Sequence, residues 1–243
     1  MTKVVRLIRH AQSAANAGYA TAAPDSIPLT ELGHQQARSF AETIDCAPGL
    51  IIASSFERSI HTATQTAKRY PSAPFEIWPV EEFTYLSPSR LDGTTQADRK
   101  PMVDAYWNEG DQAAIDGPGA ESFSKLLERA KETLDRLAAI QADDVLLFSH
   151  GQFIRAIAWF IQHGVTAGTP DLMRMFRKQD VLDPLSNCAG YELVLLKGVW
   201  DVQYQMGPDG KVKFIDAFCS DQKMAPLPAT LKTRKIRDAL KRS

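Results

Sequence analysis

The sequence predicts an α/β fold with a largely parallel sheet, and two observations support this prediction. Short apolar runs at residues 4–8, 50–54 and 145–148 are typical of strands buried inside a parallel sheet. Segments with apolar residues at helical spacing lie between these runs and after them. A chain of 243 residues with 44% hydrophobic and 23% charged residues can form one large α/β domain or two small ones, and we favour one.

Composition and charge argue against several kinds of partner. The formal net charge of −1 and the pI near 6.5 predict no overall attraction to nucleic acid or to acidic membranes, so any anion site must be local. The N-terminus has no basic and apolar leader, and no apolar run approaches the ~20 residues of a membrane span. We therefore expect a cytoplasmic protein whose partner is a small molecule.

The residue pattern predicts neither a metal ion nor a cofactor. The three cysteines, Cys46, Cys188 and Cys219, are widely spaced and lack the paired spacing of a zinc or redox site. No Asp-x-Asp or histidine–carboxylate cluster stands at ligand spacing.

The first strand ends at two reactive side chains, Arg9 and His10. Ligands of open α/β sheets bind at the carboxyl ends of the strands, so this pair indicates an anion site with a nucleophile or base beside it. For this stretch taken alone, a polar strand end without a function is the alternative.

A second apolar run ends in the same way. Residues 145–148 run into Ser149-His150-Gly151, and Gly151 allows a tight turn into a helical pattern. Two histidines at two strand ends can face each other, so the sequence predicts a site that contains both.

These stretches resemble two motifs of the histidine phosphatase superfamily, which has the phosphoglycerate-mutase-like fold. The spacing of Arg9, His10, Ser13 and Asn16 is similar to the extended Arg-His-Gly motif, and residues 149–151 are similar to the second histidine motif. The chain departs from the family at residue 11, where alanine replaces the usual glycine, so the backbone there must accept a Cβ. The resemblance covers most of residues 1–200 and implies a three-layer α/β/α sandwich with a small cap insertion.

Two further segments resemble the same family. Residues 29–37 are similar to its first helix, with Thr30 as the cap and His34 as an exposed helical residue. The pattern from Ser54 to Ala63 is similar to the second arginine motif, which implies that Arg58 binds the phosphoryl group. An arginine in the first turn of a helix is disfavoured by the helix dipole unless an anion lies nearby, which agrees with this role.

The resemblance also implies a glutamate proton donor after the edge strand at residues 75–78. In the family this glutamate usually stands two residues after an apolar one, and counting from Val80 selects Glu82, with Glu81 as the alternative. The family's mutases carry Glu-Arg-His-Tyr-Gly here, whereas this chain reads Glu-Phe-Thr-Tyr-Leu. This departure argues against a phosphoglycerate mutase.

The later segments are less specific. Residues 87–120 are broken by proline and glycine and are too long for a simple connection, so we expect a cap over the site, in which Tyr85, Tyr106 and Trp107 contact substrate or fill a small core. A long amphipathic helix follows over 121–140, and residues 170–177 are interpreted as another lid piece. Residues 184–189 loosely resemble the family's late loop near the site. Residues 192–197, 199–205 and 212–218 are predicted to be sheet-edge strands.

We divide the chain into a histidine phosphatase-like domain at residues 1–220, with the cap insertion at about 87–120, and a basic C-terminal tail at 221–243. The tail lacks the aromatic residues that accompany basic residues in single-strand nucleic-acid sites, so we expect a solvated terminus.

Together these features predict a cofactor-independent phosphatase that hydrolyses a phosphate monoester through a phosphohistidine on His10. A phosphotransferase or mutase of the same fold, and a noncatalytic phospholigand-binding module, are the alternatives. Substrate identity and oligomeric state are left open. The implied catalytic groups are His10, Glu82 and His150, and the implied substrate-binding groups are Arg9, Ser13, Asn16 and Arg58.

Overall fold

The structure is a computed structural model that describes residues 2–164, 169–208 and 212–214. These ranges form one sheet with strands β1 (Thr2–Arg9), β2 (Leu50–Ser54), β3 (Phe75–Trp78), β4 (Asp144–Ser149), β5 (Gly190–Leu196), β6 (Val199–Met206) and β7 (Val212–Phe214). The spatial order is β3-β2-β4-β1-β5-β6-β7. Strands β1 to β4 pair in parallel, and β5 to β7 extend the sheet by antiparallel pairing. The α/β class with a mostly parallel sheet is confirmed.

Helices connect and cover these strands. They are α1 (Glu31–Glu42), α2 (Glu57–Arg69), α3 (Gln96–Glu109), α4 (Phe123–Ala139), α5 (Gly151–His163) and α6 (Pro170–Leu182). The predicted cap of α1 is confirmed, because Thr30 Oγ1 accepts a hydrogen bond from Gly33 N–H at 3.0 Å. Among the described residues, none of the helices is long and apolar enough to cross a membrane.

The sheet is buried on both faces, which explains the continuous apolar runs. In β2, Leu50 and Ile52 join an apolar cluster with residues of α4 and α5, whereas Ile51 and Ala53 join a separate cluster with Phe40 of α1. Helices α1 and α2 pack against each other on that second side, and α4 and α5 pack against each other on the first. A parallel strand covered on both sides needs apolar residues at every position. The three-layer α/β/α arrangement is confirmed.

The strands predicted at 192–197 and 199–205 are confirmed, but their predicted position at the sheet edge is wrong. Strand β5 lies inside the sheet between β1 and β6, and β6 lies between β5 and β7. Alternation along a strand shows that one face is half buried, but it does not show how many neighbours the strand has. The close approach of β5 to β1 depends on Gly190, since a Cβ there would lie 1.6 Å from Leu7 O. The edge position of β3 is confirmed.

The segment 87–120, where the sequence predicts a cap broken by proline and glycine, contains the 14-residue helix α3. Thr95 and Asp98 form a capping box at its start, and Gly110 adopts a left-handed φ of 68° at its end. Pro101 inside the helix and the lack of an apolar stripe hid these signals. Helix α3 contacts α6, the segment interpreted as a lid piece. Residues 215–218 of the last predicted strand and the basic tail at 221–243 lie outside the described residues.

Candidate active site

The two histidines meet because their strands are neighbours in register. Strands β1 and β4 pair in parallel with Arg9 opposite Ser149, so the residues that follow leave the sheet side by side. The ring centroids of His10 and His150 lie 5.1 Å apart, and both residues are buried. The structure therefore brings together the two histidines that the sequence analysis paired.

The His10 ring is held in one orientation. Its Nδ1 lies 2.7 Å from the carbonyl oxygen of Ala11, to which it donates, and its Nε2 accepts from Arg58 Nε at 3.1 Å. Burial, together with the charges of Arg58 and Arg9, holds the pKa of His10 well below 6.5. The ring is neutral at pH 7, with a lone pair on Nε2.

Within the described part of the chain, His150 is bound through one ring nitrogen only. Its Nε2 lies 2.8 Å from Ser54 Oγ, and that hydroxyl accepts from Phe56 N–H at 3.2 Å. Because the Ser54 hydroxyl already accepts one hydrogen bond, we assign it as the donor to Nε2, which places the His150 ring proton on Nδ1. Nδ1 is buried and has no hydrogen-bond partner in the described structure. Burial, followed by the charge of Arg58, holds the pKa of His150 well below 6.5.

Two guanidinium groups lie beside the rings. Arg9 donates from Nη1 to Leu185 O, while its Nε is buried without a hydrogen-bond partner in the described ranges. Arg58 donates to His10 and, from Nη1, to Pro24 O, and burial lowers its pKa to about 10. Across the described residues, neither arginine has a carboxylate within ion-pair distance. Two such charges in one place create a strong preference for an anion.

Glu82 is the glutamate at this site. Its Oε1 accepts from the backbone N–H groups of Phe83 at 3.0 Å, Gln152 at 3.1 Å and Phe153 at 3.2 Å, so it lies at the N-terminus of α5. Burial raises the pKa of Glu82, although the Phe83 N–H and the two arginines act in the opposite direction. Glu81 instead accepts from Ser55 Oγ at 2.8 Å.

The loop after His10 is braced by amides. Asn16 Oδ1 accepts from Ser13 Oγ at 3.1 Å and from Asn187 Nδ2 at 3.1 Å, and the same Nδ2 lies 2.8 Å from His10 O. Asn187 was missed by the sequence analysis, where residues 184–189 were assigned only loosely to a late loop. The Ser13 hydroxyl is engaged by Asn16, so its role in binding substrate stays a prediction.

Alanine at residue 11 fits the backbone that this loop adopts. Ala11 is fully buried, donates its N–H to Thr62 Oγ1 at 3.0 Å, and is not among the non-glycine residues with positive φ. The start of α1 packs on the same loop, because a Cβ on Gly33 would lie 2.0 Å from Gln12 O. The departure from the family's usual glycine therefore introduces no backbone strain.

No group of three or more His, Cys, Asp or Glu residues that could hold a metal occurs within the described ranges. The expectation that the protein works without metal or cofactor stays a prediction.

Comparison with known proteins places this geometry in a family. The family model for the histidine phosphatase superfamily (branch 1) matches residues 5–177. A search of curated proteins found no match.

Solved structures share the fold at low sequence identity. The alpha-ribazole phosphatase from Shigella flexneri is 18% identical with a TM-score of 0.67, covering 86% of this chain and 99% of its own. A mycobacterial glucosyl-3-phosphoglycerate phosphatase is 20% identical with a TM-score of 0.63, covering 83% and 97%. A phosphoserine phosphatase mutant from Entamoeba histolytica, in complex with phosphoserine, is 20% identical with a TM-score of 0.63, covering 84% and 96%. Because its family model spans well over half of the sequence, this chain belongs to the histidine phosphatase superfamily.

Proposed function

We propose that this protein is a cofactor-independent phosphatase that hydrolyses a phosphate monoester through a phosphohistidine on His10. The observation that carries the proposal is the setting of the His10 ring. Its Nδ1 is bound to a backbone carbonyl, and its Nε2 faces a buried guanidinium that has no ion-pair partner among the described residues.

Arg9 and Arg58 bind the phosphate dianion. A dianion repels nucleophiles until cationic donors offset its charge, and planar guanidinium groups do this with paired hydrogen bonds. Asn16 uses its amide oxygen within the loop, so its Nδ2 is the end that it can offer to a phosphate oxygen.

His10 is the nucleophile. On binding, the phosphate takes over the Arg58 contact, and the Nε2 lone pair attacks phosphorus in line with the leaving oxygen. A P–N bond forms as the P–O bond to the leaving group breaks. His150 Nδ1 donates to the transferring phosphoryl oxygens, and a well-placed donor of this kind contributes about 3 kcal/mol.

Glu82 is the proton donor. Its raised pKa supports a protonated carboxyl, which transfers its proton to the leaving oxygen as the P–O bond breaks. The resulting carboxylate then removes a proton from water, whose oxygen attacks phosphorus while the P–N bond breaks. This second step releases inorganic phosphate and restores protonated Glu82.

The substrate class in this proposal is a small phosphorylated molecule. Structures of the Entamoeba histolytica phosphoserine phosphatase contain phosphoserine or 3-phosphoglyceric acid, which supports a small organic phosphate here. We also propose a cytoplasmic location, which the free thiols of Cys46 and Cys188 support.

The test uses p-nitrophenyl phosphate with the wild type, His10→Ala and a matched control, His34→Ala. His34 lies on α1, where its ring faces His61 at 6.1 Å. We expect His10→Ala to abolish turnover, the control to retain it, and quenched wild type to carry acid-labile, base-stable phosphate on His10. Wild-type activity in His10→Ala would refute the proposal, and no activity in any variant would favour a noncatalytic module.

A phosphotransferase or mutase would pass the phosphoryl group to an acceptor instead of water. Measuring free phosphate against transferred phosphate in the presence of added alcohols separates the two reactions. Release of most phosphate to water is the expected result. Addition of a chelator should leave the rate unchanged, and a loss that added metal restores would contradict the metal-free scheme.

A further inference from the structure

A buried ion pair outside the site contacts the loop that carries Glu82. Arg129 on α4 binds the carboxylate of Glu121 with two nitrogens, Nε at 2.8 Å and Nη2 at 2.5 Å. Both side chains are largely buried, with exposed fractions of 16% and 17%. Burial of two charges costs free energy that their attraction only partly recovers, so the pair calls for an explanation beyond general stability.

The remaining donors of Arg129 bind the backbone just before Glu82. Its Nη1 and Nη2 donate to Glu81 O at 3.3 and 3.2 Å, and Nη1 lies 3.3 Å from Pro79 O. The Glu81 carboxylate lies 3.9 Å from Nη1. The guanidinium therefore fixes the carbonyl of the peptide that leads into Glu82.

Glu121 holds the same loop on the other side of Glu82. Its backbone N–H donates to Thr84 O at 2.9 Å, while its carboxylate holds Arg129. The pair thus binds the backbone on both sides of Glu82, at Glu81 O and at Thr84 O. Ser149 adds a third contact by donating to Val80 O at 2.5 Å.

A second route from Arg129 reaches the Glu82 carboxyl group itself. The guanidinium lies over the Phe153 ring, with Cζ 4.6 Å from the centroid, and Phe153 N–H donates to Glu82 Oε1 at 3.2 Å. Arg129 therefore supports both the backbone that carries Glu82 and the residue that binds its carboxyl oxygen.

We propose that the Arg129–Glu121 pair positions Glu82 for proton transfer to the leaving group. This inference rests on the proposed function, in which Glu82 is the proton donor. Arg129 is a positioning residue and contacts no substrate. Proton transfer demands hydrogen-bond distance between donor and leaving oxygen, and a displacement of about 1 Å can lower a rate by about 10²-fold.

The test compares substrates that differ in their need for a proton. An alkyl phosphate such as glycerol 2-phosphate needs its leaving oxygen protonated, whereas 2,4-dinitrophenyl phosphate has a leaving group that departs without help. The parameter is kcat/KM, which reports steps up to departure of the leaving group. We expect Arg129→Gln to lower kcat/KM by about 10- to 100-fold for the alkyl ester and by less than about threefold for the aryl ester.

Three further variants sharpen the comparison. Glu121→Gln should shift the ratio of the two kcat/KM values in the same direction, because it removes the carboxylate that holds Arg129. Arg129→Lys should restore only part of the alkyl-ester rate, since an ammonium group lacks the planar fork. Arg136→Gln is the matched control on the same helix, where Arg136 is half exposed and lies over Trp78, and it should leave the ratio unchanged.

The ratio of the two kcat/KM values does not depend on how much of a variant is folded. It also cancels a general effect of the Arg129 charge, which contributes to the low pKa of His150. Equal losses for both esters in Arg129→Gln and Glu121→Gln would overturn the proposal and leave a structural role. If Glu82→Gln itself shows no preference for the aryl ester, the proposed proton donor is wrong, which is a separate failure.

Discussion

The site that we propose has two sides that are built differently. The phosphate pocket is our name for the residues that we propose bind and transfer the phosphoryl group, Arg9, His10, Arg58, Glu82 and His150. They lie at the ends of parallel strands and at the starts of helices. The cap side is our name for a largely buried aromatic cluster from the connections and from helices α3 and α6, which we propose lies towards the leaving group; it consists of Tyr85, Tyr106, Trp107, Phe176 and Arg177.

The two sides use different interactions. Polar atoms of the phosphate pocket are fixed by backbone carbonyls and N–H groups, as in the bonds of His10 to Ala11 O and of Glu82 to three backbone amides. The cap side is held by ring contacts, such as Tyr85 with Tyr106 at 4.8 Å and Trp107 stacked on Phe176 at 6.2 Å. Under the proposed function, the first side would bind the phosphoryl group that every substrate has, and the second side would face the leaving group.

The largest expected effect comes from removing a cation of the phosphate pocket. Arg58→Ala should lower kcat/KM by about 10³-fold for every phosphate ester tested, because the guanidinium offsets charge on the group that all substrates share. Steady-state kinetics on a panel of esters measures this. Arg69→Ala, on the exposed end of the same helix, is the control that should keep wild-type kinetics. Losses that differ widely between substrates would place Arg58 on the leaving-group side instead.

The proton donor should show the next largest effect, and it should depend on the leaving group. Glu82→Gln is expected to lower kcat/KM for an alkyl phosphate by about 10²-fold, with a far smaller loss for a dinitrophenyl ester. Glu81→Gln is the matched neighbour and should have little effect.

The pH profile gives a second measure of Glu82. Wild-type kcat/KM for the alkyl ester should fall as pH rises through the raised pKa of Glu82, because the donor must be protonated. That alkaline limb should disappear in Glu82→Gln. A limb that survives in this variant would assign the proton to another group.

Buried histidines should also make stability depend on pH. Folding lowers the pKa of His10 and of His150 far below 6.5, so the unfolded chain binds more protons as pH falls. Their contribution to stability is complete above pH 6.5 and is lost below it, at about 1.4 kcal/mol per pH unit for each histidine. The raised pKa of Glu82 acts oppositely, favouring the folded state at low pH.

Denaturant unfolding at several pH values between 7.5 and 5 measures this loss in free energy of unfolding. His150→Asn should have a shallower pH dependence than the wild type, because it lacks one of the two groups. Identical slopes in the two proteins would contradict the assignment of His150 as a buried neutral ring.

Whether a feature could be predicted from sequence depends on whether its signal is local or comes from partners far along the chain. The two histidines could be paired from sequence because each strand end carries a local signal, an apolar run that stops at Arg9-His10 or at Ser149-His150. Glu81 and Glu82 could not be separated from sequence alone, since their difference depends on partners far along the chain, Ser55 for one and Phe153 for the other.

Long-range pairing also hid other features. Strand β5 was expected at the edge but pairs with β1. These two strands are far apart along the chain, so no local sequence pattern indicates that they pair. Asn187 was missed for the same reason, because the two groups that it binds, His10 O and Asn16 Oδ1, lie 177 and 171 residues away along the chain. Helix α3 had local signals in its capping box and in Gly110, but Pro101 and its mixed polarity outweighed them.

The smallest expected effect lies on the cap side. Tyr85 is partly exposed beside Trp107, with ring centroids 5.4 Å apart, and burial raises the pKa of its phenol, which is neutral at pH 7. Tyr85→Phe removes one neutral hydroxyl, so the loss should be about 1 kcal/mol or less, roughly fivefold in kcat/KM, for substrates that the hydroxyl contacts. Substrates whose leaving group does not reach it should be unaffected. Tyr70→Phe, whose hydroxyl bonds Ile44 O at the far end of α2, is the matched control. A uniform loss across all esters in Tyr85→Phe would mean that this tyrosine serves the phosphoryl group, and the division of the site into two sides would then fail.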